Sequence, residues 1–292
     1  MKYIIGGGMT GLVLAFYNQQ YTVITDRIGG QFGFKFNLGA RHIHDTPETR
    51  KLLSDLGVSF TPTIKKVGYC WFDHQIKMLS DVPPRWFRTH YYRKSRGLPN
   101  DAAVPKSVMS DNKTTIRVLD CNIKLVINKL ALALGERLIL DKIKRVNHET
   151  IFGRNADYNY ERIVNTIPKP AFLRMRGFGS AAHYSKSVTF VKVEKEFMYT
   201  EDFDYVYCGS GYQFHRVSDH GEYLTVEFIG QIEPQRLKEI FKETVLDHVT
   251  LRTQVIDTAR TLKIINTKFL GRYGEWKHGV RFHDVVKRAQ EW

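Results

Sequence analysis

The chain has 292 residues, of which 42% are apolar, so it can bury a large core in one domain or in two interleaved ones. Its 44 Lys and Arg against 30 Asp and Glu give a net charge of +14, which favours anionic ligands or polyanions over cationic partners. The alternative interpretation of this charge is general solubility.

No apolar run approaches the ~20 residues of a membrane span, so we expect no membrane partner. The three cysteines are odd in number and far apart, which predicts reduced thiols and excludes a disulfide framework or a zinc site. We therefore expect a cytoplasmic protein, in a host cytoplasm if it is viral. A cleavable targeting segment is not expected, because the first predicted strand begins at residue 2 or 3.

The amino terminus has the spacing of a dinucleotide-binding turn. An apolar strand ends at Ile5, a G-x-G-x-x-G run follows at Gly6, Gly8 and Gly11, and residues 12–19 are predicted as a helix. The first glycine permits a tight turn, the second lets the backbone approach a pyrophosphate, and the third lets helix and strand pack closely. The helix N-terminus then faces the anion.

A second strand is predicted over residues 21–25, and Asp26 follows it. This aspartate lies about 20 residues past the first glycine, where an acid usually binds a ribose hydroxyl. A glycine turn that binds nothing is the alternative interpretation of the whole pattern.

The remaining periodicity alternates helices and short strands, with the clearest change of composition in the polar, basic stretch from residue 82 to 115. Helices are predicted over residues 47–57, 121–134 and 236–247. Strands are predicted over residues 137–140, 143–146, 158–160, 162–166, 187–193 and 222–229, with a hairpin over 67–79 and a closing strand and helix.

Several further segments, in their order, carry a resemblance to a known family. Residues 26–31 (DRIGGQ) are similar to its R-x-G-G motif, and residues 38–45 (LGARHIHD) to a G-A-H-I-F-H-T stretch. Residues 269–276 and 282–286 resemble its C-terminal flavin motif, residues 163–168 its I-S-T-I-P strand, and residues 214–217 its F-x-R-I strand. Together they resemble the flavoprotein superfamily of amine oxidases, protoporphyrinogen oxidases and UDP-galactopyranose mutases, as a compact member.

The resemblance implies FAD as the cofactor and a mixed α/β (α+β) fold. A Rossmann-like FAD-binding domain is expected over residues 1–78, 116–176 and 262–292. An interleaved, smaller substrate domain with an antiparallel sheet is expected over residues 79–115 and 177–261. The chain departs from the family at the ribose, because Thr25 ends the second strand where a Glu is usual and Asp26 lies nearer the glycines.

The resemblance also assigns residues to the site. Cofactor contacts fall on Gly6, Gly8, Met9, Thr10, Gly11, Asp26, Arg27, Gly30, Gln31, Gly39, Ala40, Arg41, Gly271, Arg272, Asp284 and Val285. The catalytic candidates are His44, which matches a mutase histidine, Arg41, which replaces a second one, and Arg216 of the F-x-R-I strand.

Two of these assignments have a physical basis of their own. Arg272 can neutralise a pyrophosphate with two parallel hydrogen bonds. His283 or Asp284 could cap the final helix, whose N-terminus would face the flavin and favour its anionic reduced form; a terminal helix packed on the core is the alternative. His42 and His44 alternate on a predicted strand but lack a third ligand nearby, so no metal is expected.

Residues 85–96 (RWFRTHYYRKSR) combine five basic residues and four aromatic rings with no acid. Basic side chains can bind phosphates while rings stack on bases, although a solvated loop with buried rings would have the same composition. The predicted substrate or nucleic-acid contacts are Arg85, Arg88, Tyr91, Tyr92, Arg93, Lys94, Arg96 and Trp276.

Three functions are compatible with the sequence. The first is an FAD-dependent oxidoreductase of amine-oxidase type, acting on an anionic amine that is nucleotide- or nucleic-acid-linked; a phage-type DNA thymine hypermodification is one variant. The second is a redox-neutral flavoenzyme similar to UDP-galactopyranose mutase. The third is a nucleic-acid-binding protein that keeps the flavin fold without turnover.

Overall fold

The computed structural model describes residues 1–33, 36–38, 42–70, 75–78, 115–178, 187–198, 200, 202–209, 211–251, 264–275 and 280–292. Its element order alternates strands and helices from the first residues onward. Two large sheets organise this part of the chain, one entirely parallel and one mainly antiparallel.

The parallel sheet is assembled from segments that lie far apart in the sequence. Its strands are β1 (Lys2–Ile5), β2 (Tyr21–Thr25), β7 (Leu138–Leu140), β11 (Arg162–Asn165) and β17 (Thr267–Phe269). Their spatial order is β17-β11-β1-β2-β7, and every pairing is parallel. The strands are short, apolar runs, as expected for a parallel sheet covered on both faces.

Four helices cover one face of this sheet: α1 (Met9–Tyr17), α2 (Pro47–Asp55), α3 (Ile123–Leu134) and α7 (Phe282–Gln290). In α3 the apolar residues recur every three to four positions, and the Asn122 side chain caps the helix by accepting the N–H of Leu125. Among the described helices, none combines the length and the apolar character that crossing a membrane requires.

The other face packs against α4 (Lys169–Met175) and a small antiparallel sheet of β8 (Arg145–Val146), β9 (Thr150–Phe152) and β10 (Asp157–Asn159). Buried rings and branched side chains from all of them form a separate core cluster. The parallel sheet is therefore a middle layer, which is the doubly covered arrangement of a Rossmann-like fold.

The large second sheet contains β3 (Ile43–His44), β4 (Thr61–Cys70), β5 (Ile76–Met78), β6 (Thr115–Asp120), β12 (Val188–Glu194), β13 (Tyr205–Cys208), β14 (Arg216–Asp219), β15 (Tyr223–Ile229) and β16 (Val245–Leu251). Its order is β16-β12-β15-β14-β13-β4-β6-β3, with β5 beside β4. Only the β13–β4 pair is parallel among these pairings. One face packs on α5 (Pro234–Phe241) through a core of Val, Phe and Cys side chains.

The structure confirms the mixed α/β prediction, including the antiparallel sheet. β4 and β6, from segments assigned to the FAD-binding domain, hydrogen-bond into the second sheet. The exact domain boundaries stay a prediction.

One predicted element is wrong. The sequence indicates a helix over residues 236–247, but α5 ends at Phe241 and residues 245–251 form β16. Lys242 adopts a φ of 52°, which ends the helix. Beyond it, the alternation of Val245 and Val249 with polar residues suits a half-buried strand that pairs with β12. Smaller differences concern ends: α1 begins at Met9, three residues before the predicted start.

A buried carboxylate holds the small sheet against the parallel one. Asp141, which is 3% exposed, follows β7 and donates its own backbone N–H to the carbonyl of Thr25. Its side chain accepts the backbone N–H groups of the turn at residues 154–156 and the hydroxyl of Tyr158. Burial alone raises the pKa of Asp141, but these hydrogen bonds outweigh it and leave the pKa below its ordinary value.

We predict that Asp141→Ala lowers the free energy of unfolding by at least about 1–3 kcal/mol, because it leaves buried donors without an acceptor. The difference from wild type should be full at neutral pH. It should shrink as the pH falls below the ordinary pKa of an aspartate. The hydrogen bonds favour the ionised carboxylate, so the stability that they contribute is lost when Asp141 becomes protonated. Urea unfolding across pH measures both effects. The exposed Asp157 provides the control, and an equal loss in Asp157→Ala would contradict the assignment.

Candidate functional site

The first turn of the chain packs backbone on backbone. A Cβ at Gly11 would overlap the carbonyl oxygen of Gly6, so α1 can lie this close to β1 only with glycine there. Gly6 itself adopts a φ of 110°, and a Cβ there would lie 2.7 Å from the side chains of Thr166 and Ile167. These two glycines fix the direction in which α1 leaves the sheet.

Two distant glycine segments close around the same point. The Gly29 N–H donates to the Gly7 carbonyl over 2.7 Å, and a Cβ at Gly30 would lie 3.1 Å from the Cα of Gly8. From the C-terminal side, a Cβ at Gly271 would lie 2.7 Å from the Thr10 side chain. The sequence motifs that suggested one cofactor site are therefore together at the carboxyl end of the parallel sheet.

Gly8 differs from the other glycines of this turn because space is open beside it. A Cβ there would meet only the Gly30 Cα, at 3.9 Å, and its backbone is extended, with φ −73° and ψ 172°. Among the described residues, no side chain caps the N-terminus of α1 and no acid occupies its first turn. Open backbone and a helix N-terminus without a side-chain cap fit the pyrophosphate of a dinucleotide such as FAD.

The polar residues predicted around this cradle have mixed placements. Asp26 and Arg27 are exposed beyond the end of β2, while the Thr25 hydroxyl donates to the Arg27 carbonyl. Arg272 is exposed beside Gly271. Met9 packs in the core, so it contributes backbone to the cradle.

The final helix has a more definite start. Asp284 accepts the backbone N–H of Arg281 over 2.8 Å and so caps α7. Asp284 and His283 are the two candidates that the sequence indicates for this cap. Val285 is 3% exposed and belongs to the core that α7 shares with α1, so its side chain is structural. Cofactor contacts from these two residues stay a prediction.

The second sheet presents a polar row on the face that does not pack on α5. Tyr69, Tyr207, Arg216 and Glu227 are register partners across β4, β13, β14 and β15, so their side chains share one face. The Arg216 guanidinium binds the carboxylate of Glu227, which is 2% exposed, through two hydrogen bonds of 2.6 and 2.8 Å. Its charge is thereby neutralised, and a catalytic role for Arg216 stays a prediction.

The segment after the second glycine motif lies on this polar face. Phe36 and Leu38 pack with Phe190, whose side chain is on the same face as Glu227. The Asn37 carbonyl accepts the Thr225 hydroxyl over 2.8 Å. These contacts bring the cofactor cradle and the second sheet together.

A row of histidine rings runs from the start of α7 to the second sheet. The ring centroids of His283 and His44 are 5.1 Å apart, and those of His44 and His42 are 4.8 Å apart. His42 Nδ1 then shares a hydrogen bond of 3.2 Å with the hydroxyl of Tyr205. Within the described residues, no three His, Cys, Asp or Glu side chains are placed to hold a metal ion.

Burial, and then the positive groups His44, Arg216, Lys65 and Arg281, lower the pKa of His42 to about 3. Burial raises the pKa of the Tyr205 hydroxyl above its ordinary value. At neutral pH the pair therefore consists of an uncharged imidazole and a protonated phenol.

A cavity of about 740 Å³ opens beside this pair, at the end of the second sheet where β13 and β15 begin. Phe32, Phe36 and Asn37 form one wall. The charged lining residues in the described part are Asp120, Asp202, Asp204, Asp219, Lys65 and Lys124. Three of the four carboxylates are paired with lysines, Asp204 with Lys65 at 2.8 Å, Asp219 with Lys195 at 3.5 Å and Asp202 with Lys66 at 3.9 Å. Within the described residues, Asp120 is the lining carboxylate without an ion pair.

Several predicted residues lie outside the described part of the chain. They are Gly39, Ala40, Arg41, Arg85, Arg88, Tyr91, Tyr92, Arg93, Lys94, Arg96 and Trp276, together with the side chain of Gln31. Conversely, sequence interpretation did not select Tyr205, Tyr69, Tyr207 or Glu227. The alternation of Tyr205 and Tyr207 in a period-two segment was the available signal for a polar sheet face.

Comparison with solved structures identifies the fold. A reduced UDP-galactopyranose mutase superposes with a TM-score of 0.70 at 13% identity, over 99% of this chain and 94% of that one. An oxidoreductase from Methanosarcina mazei gives 0.65 at 12% identity, over 100% and 99% of the two chains. A putrescine oxidase redesigned in its cofactor binding gives 0.62 at 10% identity, over 99% and 97%.

This chain shares the fold of these structures, so the resemblance found in the sequence motifs is confirmed at the level of the fold. No protein-family model matches the chain. No curated protein matches it either.

The neutral histidines predict a loss of stability in mild acid. His42 titrates at about pH 3 and His220, whose pKa is lowered chiefly by burial, at about pH 4 in the folded protein, against 6.5 in the unfolded chain. The unfolded state therefore binds protons first as the pH falls. Between pH 7 and pH 4, we expect the His42→Asn variant to lose about 1–3 kcal/mol less of its free energy of unfolding than the wild type loses. Denaturant unfolding at several pH values tests this, with the exposed His148→Asn as control; identical pH curves for His42→Asn and wild type would contradict it.

Proposed function

We propose that this chain binds FAD and is an oxidoreductase that acts on an amine. The observation that carries the cofactor assignment is the convergence of residues 6–11, 29–30 and 271–274 around the N-terminus of α1. The first two segments are in backbone contact, the third approaches the Thr10 side chain, and an open position is left at Gly8, which is the space that a pyrophosphate occupies in such turns. FAD, when bound, supplies the two-electron acceptor.

The residues of the chain would then bind and orient the partners. The N–H groups that begin α1 would hold the pyrophosphate, and Arg272 is placed beside Gly271 to neutralise its charge. The capped N-terminus of α7 would contribute partial positive charge near the redox centre. The His42–Tyr205 pair would keep the wall between cradle and cavity polar without adding charge.

The cavity favours an amine as the substrate. In the described lining, Asp120 is the carboxylate without an ion pair, and His42 and His220 are neutral, so Asp120 would give the wall its attraction for a cation. The anionic substrate suggested by the sequence depended on residues 85–96, outside the described part. Arg216, a catalytic candidate, is already bound to Glu227. We therefore propose the amine, without the DNA-modification variant.

The cofactor proposal predicts that Gly8→Ala folds normally but loses FAD. Alanine is compatible with the extended backbone of Gly8 and meets no close neighbour in the protein, whereas its methyl group would fill the approach to the pyrophosphate. Thermal unfolding of the apoprotein should change by less than about 0.5 kcal/mol. FAD affinity, measured by flavin fluorescence titration, should fall at least about tenfold. Wild-type protein without any flavin affinity would refute the proposal.

The substrate proposal predicts that Asp120→Asn raises KM for primary amines severalfold with little change in kcat, because it removes attraction at the cavity wall. Anaerobic bleaching of the bound flavin by a panel of mono- and diamines is the measurement. Asp157→Asn, an exposed change on β10, is the matched control. Catalysis only after prereduction, and only with a uridine diphosphate sugar, would favour the mutase alternative instead.

A further inference from the structure

The amino end of the parallel sheet carries a row of cations that the proposed function does not use. Lys2 and Arg162 are register partners on β1 and β11, and Lys268 lies on β17, opposite Val164. Their positions place all three side chains on one face of the sheet. Neighbouring strands are about 4.8 Å apart, so positive charges recur at short intervals across three strands.

These cations have no acidic partner in the described part of the chain. The Lys2 ammonium donates to the side-chain carbonyl of the neutral Gln20. Lys268 faces the Trp292 ring at 4.0 Å from its centroid. The nearby carboxylates are engaged elsewhere, since Glu275 binds Arg288 and Glu161 binds the terminal amino group.

Repulsion between these groups is visible at Lys268. Burial, and then the charges of Arg162 and Arg288, lower the pKa of its ammonium, while Glu275 acts in the opposite direction. Around Lys268 the basic groups therefore outweigh the one acidic group. This matches the excess of 44 basic over 30 acidic residues in the whole chain, and locates part of that excess.

A hollow of about 300 Å³ lies beside Arg162 and Lys268. Arg162, Lys268, Asn266, Thr267 and Trp292 are among its lining residues. The Trp292 ring is stacked on Tyr21 with centroids 5.3 Å apart, and Tyr21 is 1% exposed, so a rigid aromatic wall supports Lys268. The indole is 37% exposed, which leaves part of it in contact with solvent.

We infer that the row formed by Lys2, Arg162 and Lys268 binds phosphates of a single-stranded nucleic acid. A chain of regularly repeated negative charges complements a row of cations better than a single anion does. The Trp292 indole, which lies between Tyr21 and Lys268, holds one of these cations in place. Lys2 and Arg162 lie at the opposite end of the sheet from the glycine cradle, and none of the three residues is used in the FAD and amine proposals.

The test is fluorescence anisotropy with a labelled oligothymidylate strand, titrated at several salt concentrations with the protein saturated with FAD. Each lost phosphate contact lowers the slope of log affinity against log salt by about 0.7 for a single strand. The triple variant Lys2→Gln, Arg162→Gln, Lys268→Gln should therefore reduce the slope by about two. It should also weaken binding at low salt at least about tenfold.

A second triple variant provides the matched control. Lys51→Gln, Arg236→Gln and Lys238→Gln remove the same charge from α2 and α5, away from the row, and should change the slope by less than about one. Equal effects of the two variants, an unchanged slope in the first, or no binding by wild type would overturn the inference. Full competition by thymidine monophosphate at equal phosphate concentration would also overturn it, since the site would then take free nucleotides.

Discussion

The contact between Gly11 and the Gly6 carbonyl is the constraint from which the rest of the candidate site follows. It brings the first turn of α1 against the end of β1 and so aims the helix N-terminus across the carboxyl edge of the sheet. Gly30 and Gly271 can then reach Gly8 and Thr10, because each lacks the side chain that would hold it away. A larger residue at position 11 would redirect the helix, and the two later glycine segments would lose the surface on which they close.

The second sheet presents polar groups at its boundary with the cofactor cradle. Its apolar face packs against α5, and its other face lines the boundary with tyrosines and the Arg216–Glu227 pair. A half-buried guanidinium and a buried carboxylate are tolerated there because each satisfies the other with two hydrogen bonds. The boundary can thus remain polar with little net charge.

Much of the cofactor end of the molecule could be predicted because backbone requirements leave a direct mark in sequence. Gly6, Gly11, Gly29 and Gly271 are needed where backbone segments approach closely, and their spacing is recognisable in the sequence. The polar sheet face was not predicted, since Tyr205 and Glu227 acquire their meaning only from partners on other strands. Likewise, residues 245–251 form a strand because they pair with the edge of β12. The local sequence pattern, which indicated a helix, contains no information about this partner. The row of Lys2, Arg162 and Lys268 is spread over about 270 positions and has no sequence motif at all.

The same dispersal has a consequence for how the molecule forms during synthesis. Gly271 contacts Thr10 across about 260 intervening residues, and β17 completes a sheet whose first strand starts at Lys2. Contacts of such long range make a chain slow to fold, because the entropy of closing the intervening loop is lost before the contact contributes any stabilising energy. On the ribosome, β1, β2 and α1 emerge early but remain without β17 and α7 until residues 267–290 have been translated. Until then the nascent chain exposes an incomplete apolar layer, and the arrival of residues 267–290 is the step that completes the parallel sheet and its helical cover.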